Sequence, residues 1–336
     1  MKAREKNVQI KKAEKKKTQK KKTQDKAYSY NSIITYSRKK NLVESAAQTV
    51  FTVCASFAVL AVASISLYMI LSGTPALFQV GLKEILFTTI WEPTAEEPKY
   101  GILYVILTSV VGTGLAVFIG VPVGVLTAVF LAEVSDKRVA AAVRSAVELL
   151  AGIPSVIYGL LGIYLLNPLM YKLELTLFWD SRTHQFTGGS NLLSAVLVLA
   201  IMILPTVINI SETSIRAVPS DIKEASLALG GSQIQTIFKV ILPAAKSGIV
   251  TAVVLGVGRA IGEAMAITLV SGGSVNSPLP FHSVRFLTTA IVSEMGYSSG
   301  THRQMLFTIG LVLFVFITLI NIVLTQILKG GTEENG

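Results

Sequence analysis

Two charged side chains lie inside an otherwise uncharged, apolar stretch of this sequence. Arg259 and Glu263 are the only charged residues in Ser247–Val270, a run long enough to cross a membrane. A central Arg costs about 3 kcal/mol on insertion scales, so such residues usually face a bundle interior or a water-filled path. The planar guanidinium fork matches the oxygens of phosphate and carboxylate groups. The pattern therefore indicates a place within the membrane where an anion could bind.

The spacing of these two residues leaves a structural alternative open. Residues four apart lie on the same face of a helix, so Arg259 and Glu263 are expected to pair. On the structural interpretation, the pair locks neighbouring helices together. On the functional interpretation, Glu263 holds the guanidinium in place and offsets its charge when the path is empty. The two residues alone do not decide between these interpretations.

Most of the chain has the composition of a membrane protein. Of 336 residues, 51% are hydrophobic and only 15% are charged, whereas soluble domains carry about a quarter charged residues. A membrane-spanning helix needs about 20 apolar residues. Stretches of this length are Ala46–Ser72, Gly101–Ala132, Leu149–Tyr171, Gly189–Ser211, Ser247–Val270 and Gln304–Leu328. The sequence therefore predicts an all-α integral membrane protein with six transmembrane helices.

Glycine pairs inside two of the spans predict close helix packing. Gly120 with Gly124, and Gly258 with Gly262, are each spaced four residues apart. Small residues at this spacing let helix backbones approach each other in lipid.

The positive charge is concentrated at the N-terminus. Residues 1–40 carry a net charge of +12, which leaves −2 for the rest of a chain whose total is +10. Lys/Arg-rich segments stay on the cytoplasmic side of the first span, so this basic tail fits a membrane neighbour better than nucleic acid. We expect residues 1–45 to be a disordered cytoplasmic tail, 46–329 the transmembrane domain, and 330–336 a short C-terminal tail.

The loops between the predicted spans give an orientation. Lys and Arg side chains are concentrated in the loops 133–148 and 212–246, which places both on the cytoplasmic side with the N-terminal tail. An even number of spans then returns the C-terminus to the same side. The sequence therefore predicts a multi-pass protein of the cytoplasmic membrane with both termini inside.

The loop between the fourth and fifth spans contains signals for two short helices. Ser220 is a candidate N-cap for the first helix, and Gly230-Gly231 is a stop signal. Ser232 and Gln235 have the spacing of a capping box for the second helix, which Pro243 ends or bends. A plain connecting hairpin and a docking element for a cytoplasmic partner are both compatible with this pattern.

The same loop resembles the EAA loop of binding-protein-dependent ABC importers. The resemblance is carried by Glu224-Ala225-Ser226, Gly230 and Val240-Ile241-Leu242-Pro243, with Ser226 and Val240 as small departures. In that family the loop docks into a cleft on the ATPase subunit and transmits its closure. The resemblance implies coupling roles within the loop 217–243 for Glu224, Ala225, Ser226, Gly230, Leu242 and Pro243.

Three further segments resemble the permeases of phosphate importers. They are Glu148–Gly159, Gly256–Val270 and Leu287–His302, and the resemblance covers roughly residues 45–330. The pattern looks like the PstC-type permease rather than the PstA-type, although Ala264 and Ser271 depart from it. It implies the six-helix, MetI-like core of type I ABC importers, and a role in phosphate transport for Arg259 and Glu263.

The resemblance also implies a set of partners. They are a homologous PstA-type permease, two copies of a PstB-type ATPase, a PstS-type phosphate-binding protein outside the membrane, phosphate and membrane lipid. The chain has no Gly-Lys dipeptide and so no phosphate-binding loop of the usual form. We therefore expect no enzymatic activity, cofactor, metal or nucleic acid on this chain, with ATP and Mg bound by the ATPase.

Three other functions remain as alternatives. One is a permease for another oxyanion such as sulfate or molybdate, and another is a membrane sensor of phosphate supply. The third is an ion-coupled carrier with Glu263 as its proton carrier, although such a carrier needs no ATPase dock. The histidines His184, His282 and His302 lack metal-ligand spacing and are expected to be exposed loop residues.

Overall fold

The computed structural model describes residues 43–333, with all side chains except those of residues 324–325 and 327–333. Residues 1–42 and 334–336, which include most of the predicted basic tail, lie outside the described residues. The chain divides into two compact units after Leu67. The first contributes residues 43–67 of the first helix, and all the contacts described below belong to the second.

The described chain is almost entirely helical. In order, its elements are α1 (Val43–Val80), α2 (Leu82–Phe87), the antiparallel strands β1 (Trp91–Glu92) and β2 (Lys99–Tyr100), α3 (Leu103–Val129) with a π-helical extension Phe130–Val134, α4 (Lys137–Gly152), α5 (Ser155–Leu161), a π-helical segment Gly162–Leu166, α6 (Asn167–Leu177), α7 (Leu192–Arg216), α8 (Ser220–Ala228), α9 (Gln233–Thr236), a π-helical segment Ile237–Ile241, α10 (Leu242–Ala244), α11 (Lys246–Gly262), α12 (Met265–Val270), α13 (Leu287–Glu294) and α14 (Gly300–Glu333).

The helices confirm the predicted fold class. Five helical stretches of the described chain are long and apolar enough to cross a membrane: α1, α3, α5–α6, α7 and α14. The sixth is a bent pair, in which residues 233–244 meet α11 at an angle of 70°. The number of spans is therefore five, or six if the bent pair crosses as one.

Two predicted spans are interrupted by breaks in the helical backbone. The third begins at Ser155 rather than Leu149, because Pro154 has an extended backbone that separates it from α4. The fifth was predicted as one helix through Val270. Instead, α11 ends at Gly262, and Glu263 takes an extended conformation before the short helix α12.

Helix α7 lies at the centre of the helical core. Its residues Leu199 and Ile203 are fully buried in a cluster that α3, α11 and α12 also help to form. A Cβ added at Gly120 would lie 2.7 Å from Ile203 Cδ1, and one at Gly124 2.7 Å from Val207 Cγ1. The predicted close packing at this first glycine pair is therefore confirmed, and it joins α3 to α7.

The second glycine pair does not pack as predicted. A Cβ added at Gly258 or Gly262 would meet no atom of the described chain within 4 Å. These positions lie on a face of α11 that no helix of the described residues covers.

Candidate functional site

Arg259 lies on α11, half-buried, and faces α7. Its Nη1 atom lies 3.4 Å from the Thr206 hydroxyl oxygen. Among the described side chains, no carboxylate oxygen comes within 4.0 Å of this guanidinium. The predicted Arg259–Glu263 pair is therefore wrong, because the helix ends between the two residues and they do not share a helical face.

Glu263 instead closes the backbone break between α11 and α12. Its side-chain Oε1 accepts the backbone N–H of Ala266 at 3.0 Å. Its backbone carbonyl accepts the Thr288 hydroxyl at 2.7 Å. Backbone groups that lose their helical partners at a break must form other hydrogen bonds within the membrane. Glu263 takes part in two such hydrogen bonds, one through its side chain and one through its backbone carbonyl. Its observed role is that of a helix cap.

Polar side chains continue from Arg259 along α7. Thr206, Asn209 and Thr213 are followed by Arg216 at the end of the helix. Beside the last three is a cavity of about 410 Å³, lined by Arg144, Glu148, Asn209, Glu212, Thr213 and Arg216.

Three of these cavity residues form an ionic network. Arg144 and Arg216 both donate to Oε1 of the buried Glu212, Arg216 at 2.9 Å. The hydrogen bond to Glu212, aided by its negative charge, raises the pKa of Arg144 above its ordinary value.

The loop predicted to couple to an ATPase is a pair of short helices with an exposed surface. We call residues 220–244, which comprise α8 to α10, the docking loop. No residue of α8 is buried, and both Glu224 and Ala225 are exposed. Gly230 has a φ of +85°, a left-handed conformation that favours glycine, and it lets the chain turn towards α9. Next to it, Leu229 is 90% exposed.

The helix signals in the docking loop are mostly confirmed. Ser232 and Gln235 form the predicted capping box, with Ser232 Oγ accepting the Gln235 N–H at 3.2 Å. Ser220, however, is the first residue of α8, and Pro219 occupies the N-cap position.

The six predicted coupling residues differ in their surroundings. The Ser226 hydroxyl lies 2.9 Å from the Thr236 hydroxyl and holds α8 against α9. Leu242 is partly buried against a cluster that includes Ile215 and Ile241. Pro243 is exposed, like Glu224, Ala225 and Gly230. The docking loop therefore has an inner side fixed to the helices and an outer side open to a partner.

Sequence reasoning missed the residues that attach the docking loop to α3. The Lys223 ammonium forms an ion pair with Glu133, in the π-helical extension of α3. Gln233 Nε2 donates to the backbone carbonyl of Glu133 at 3.2 Å. Arg216, at the end of α7, adds a contact between α7 and the same segment by donating to the Leu131 carbonyl at 2.7 Å. No local sequence signal indicates these contacts, since about 85 to 100 residues separate the partners.

His302 is buried and His184 is half-buried, which corrects their prediction as exposed loop residues. His184 Nε2 lies 2.8 Å from Glu174, and His302 Nε2 lies 2.8 Å from Glu294. Glu294 also accepts the Trp91 indole N–H at 3.1 Å. These buried carboxylates tie together the loops predicted to lie outside. In the described chain, no three His, Cys, Asp or Glu side chains are grouped to hold a metal ion.

Comparison with known proteins identifies the family. Residues 120–330 match the model of the family described as binding-protein-dependent transport system inner membrane component. The probable ABC transporter permease protein YqgH of Bacillus subtilis is 36% identical, over 86% of this chain and 93% of that protein. The phosphate transport system permease protein PstC of Haemophilus influenzae is 31% identical, over 86% of this chain and 95% of that protein. PstC of Xylella fastidiosa strain 9a5c is 34% identical over 79% and 84%.

Solved structures show the same fold. A bacterial alginate ABC transporter, in complex with an alginate-bound periplasmic protein, contains a chain with a TM-score of 0.53 and 16% identity. The match covers 76% of this chain and 85% of that one. This chain belongs to the family of binding-protein-dependent transport system inner membrane components, and it is a non-catalytic, multi-pass permease subunit of an ABC importer.

Proposed function

We propose that this permease carries inorganic phosphate across the cytoplasmic membrane. The observation that supports this most directly is the Arg259 guanidinium, held inside a span with the Thr206 hydroxyl beside it and, among the described residues, no carboxylate to neutralise it. A cation in this position attracts an anion, and its planar fork matches two oxygens of an oxyanion. Several relatives of similar length are named as phosphate transport system permeases.

The docking loop provides the link to ATP. We assign its exposed outer side, with Glu224, Ala225 and Leu229, to a cleft on a PstB-type ATPase, which binds ATP and Mg. Closure of two such ATPases would move the docking loop, and its attachments to α3 and α7 would carry that movement into the spans. A PstA-type permease would complete the path, and a PstS-type protein would deliver phosphate from outside.

The family assignment bears on the alternative functions. Membership of the ABC importer family removes the ion-coupled carrier. Another oxyanion remains the main competitor, since Arg259 would attract sulfate or molybdate by the same chemistry. The relative YqgH carries no substrate in its name.

Uptake of labelled phosphate in phosphate-starved cells that lack this gene tests the proposal. The strain must have no second phosphate system, and labelled sulfate serves as the control. We expect high-affinity phosphate uptake to disappear with the gene and to return with the intact gene, while sulfate uptake stays constant. Vanadate should inhibit the restored uptake, because the ATPase drives it.

Unchanged phosphate uptake in the deletion strain would refute phosphate as the substrate. The same cells would then be tested with sulfate and molybdate. Loss of uptake of one of these anions would identify the alternative substrate.

A further inference from the structure

We infer that one polar face of α7 lines the route by which the anion leaves Arg259 for the cytoplasm. We call this face, formed by Thr206, Asn209, Thr213 and Arg216, the exit stripe. The inference deepens the proposed function, on which it rests for the identity of the anion.

The spacing places the four side chains on one side of the helix. They follow one another at intervals of three, four and three residues, the repeat of a single helical face. Thr206 contacts Arg259, so the stripe begins at the guanidinium. From Thr206 to Arg216 the helix rises about 15 Å, half of a hydrocarbon core of about 30 Å. The stripe therefore reaches from Arg259 to the predicted cytoplasmic end of α7.

The environment of the stripe indicates water rather than lipid. Asn209 is half-buried within a span, and its side-chain amide has no hydrogen-bond partner among the described residues. Polar groups inside a membrane require partners, which either protein or a water-filled path must supply. The cavity of about 410 Å³ opens directly beside Asn209 and Thr213. Water entering this cavity would supply the partner that the amide lacks among the described residues.

The charges along the route suit passage rather than retention. Arg259, at the start, lacks a carboxylate partner. At the other end, Arg144 and Arg216 are both engaged by Glu212, and Glu148 also lines the cavity. Two positive and two negative groups leave no net charge there. An anion would therefore be attracted at Arg259 and released where the positive charges are already neutralised.

Thiol accessibility in the assembled transporter tests the path. Cys54, the single native cysteine, is first replaced by Ser, and cysteines are then introduced by Thr206→Cys, Asn209→Cys and Thr213→Cys. The control is Ile201→Cys, on the same helix, 44% exposed and about 140° away from Thr206 around the axis. Inside-out membrane vesicles are treated with an anionic, membrane-impermeant thiosulfonate.

We expect the three stripe cysteines to react at least about tenfold faster than the control, since the thiolate that reacts forms in water. Stripe cysteines that react no faster than the Ile201→Cys control would overturn the inference. Assembly is verified by copurification of the ATPase.

A charge introduced into the stripe provides a second test that does not depend on cysteines. Asn209→Asp places a negative charge in the route, whereas Asn209→Ser is polar and uncharged. We expect Asn209→Asp to transport phosphate at least about tenfold more slowly than Asn209→Ser when the two variants are present in equal amounts in the membrane. Equal rates would also overturn the inference.

The two hypotheses fail in different ways. Thiol accessibility does not depend on which anion is carried. If the stripe reacts as expected but the wild-type transporter carries no phosphate, the proposed substrate is wrong and the water-filled path remains. If the wild type carries phosphate but the stripe is inaccessible, only the path is wrong.

Discussion

At the scale of single residues, Arg259 is the side chain on which phosphate transport most directly depends. Arg259 is the only positively charged residue of Ser247–Val270, and it has no carboxylate partner among the described residues. Replacing it with Ala removes the charge that attracts the anion. Charge-assisted hydrogen bonds contribute about 1.5 to 3 kcal/mol, which corresponds to a loss of roughly 10- to 100-fold in uptake. The measurement is the initial rate of labelled phosphate uptake, normalised to the amount of transporter in the membrane.

Arg259→Lys is the matched control for this prediction. It keeps the charge but loses the planar fork, so we expect an uptake rate between those of the wild type and Arg259→Ala. Both variants should assemble with the ATPase, because within the described part of the chain Arg259 makes only one long hydrogen bond. Failure of Arg259→Ala to assemble would instead support a structural role.

The capping role of Glu263 leads to a prediction opposite to that of an ion pair. Gln can still accept the Ala266 N–H, whereas Ala cannot. Loss of a cap costs about 1 kcal/mol, so Glu263→Ala should lower the thermal unfolding midpoint of the purified complex, and Glu263→Gln should leave it nearly unchanged.

If Glu263 mainly balanced the charge of Arg259, both substitutions would remove that balance equally. Both would then tighten phosphate binding and slow its release to the same extent. Equal effects of Gln and Ala on transport, with no difference in stability, would contradict the capping role.

Sequence reasoning found Arg259 but not its surroundings. A charge in a long apolar run is visible from composition alone, because insertion into lipid is costly. Its neighbour Thr206 is more than 50 residues away, and only the packing of α11 on α7 brings the two together. The pairing with Glu263 was wrong because the prediction assumed one continuous helix.

At the scale of secondary structure, the Lys223–Glu133 ion pair connects the docking loop to α3. A reversal of either charge places like charges together and costs roughly 1 kcal/mol, about a fivefold change in an equilibrium. We expect Glu133→Lys and Lys223→Glu each to lower phosphate uptake by about this factor, while the ATPase remains bound. The double reversal should restore most of the uptake.

Recovery of phosphate uptake in the double reversal would show that the two residues act as a pair, and not through two separate effects. Phosphate transported per ATP hydrolysed is the appropriate measurement, since a weakened connection wastes hydrolysis without preventing it. Lys239→Glu, in the same loop and with no ion-pair partner among the described residues, is the control for an added negative charge. Additive losses in the double reversal would show that the pair does not transmit movement.

The elements differ in how far the sequence could predict them. The Ser232–Gln235 capping box was predictable because its two residues and their bonds are local. The break at Glu263 was not, since hydropathy does not report backbone geometry and no proline marks the site. The π-helical segments, such as Phe130–Val134, leave no comparable signal. His184 and His302 were misplaced because their buried Glu partners lie 10 and 8 residues away.

At the scale of the whole molecule, contacts within the second unit group the loops into two sets. The Lys223–Glu133 pair brings together the loops 212–246 and 133–148, both predicted to be cytoplasmic. The Trp91–Glu294 hydrogen bond joins the loops 73–100 and 271–303, both predicted to be external. A cavity of about 520 Å³ is lined by Thr183 and Ser283 among others, so the loop 171–188 lies beside the loop 271–303.

This grouping matches the predicted topology, but the contacts alone leave its absolute direction to be measured. Leu229 in the docking loop and Trp179 in a loop predicted to be external are 90% and 81% exposed, which makes them suitable reporters. In a Cys54→Ser background, an impermeant maleimide should label Trp179→Cys in intact spheroplasts. In cells that do not produce the ATPase, which would otherwise cover this residue, Leu229→Cys should be labelled only after the membrane is opened. We expect this result because Lys and Arg are concentrated in the loops that include Leu229.

The orientation of the chain in the membrane decides whether the proposed mechanism is possible. ATP is available in the cytoplasm, so the docking loop can meet an ATPase only from that side. The exit stripe runs from Arg259 towards the same end of α7 and would discharge phosphate there. Labelling of Leu229→Cys in intact spheroplasts would place both outside the cell. It would thereby contradict both the coupling role of the docking loop and the route of the anion from outside the cell to the cytoplasm.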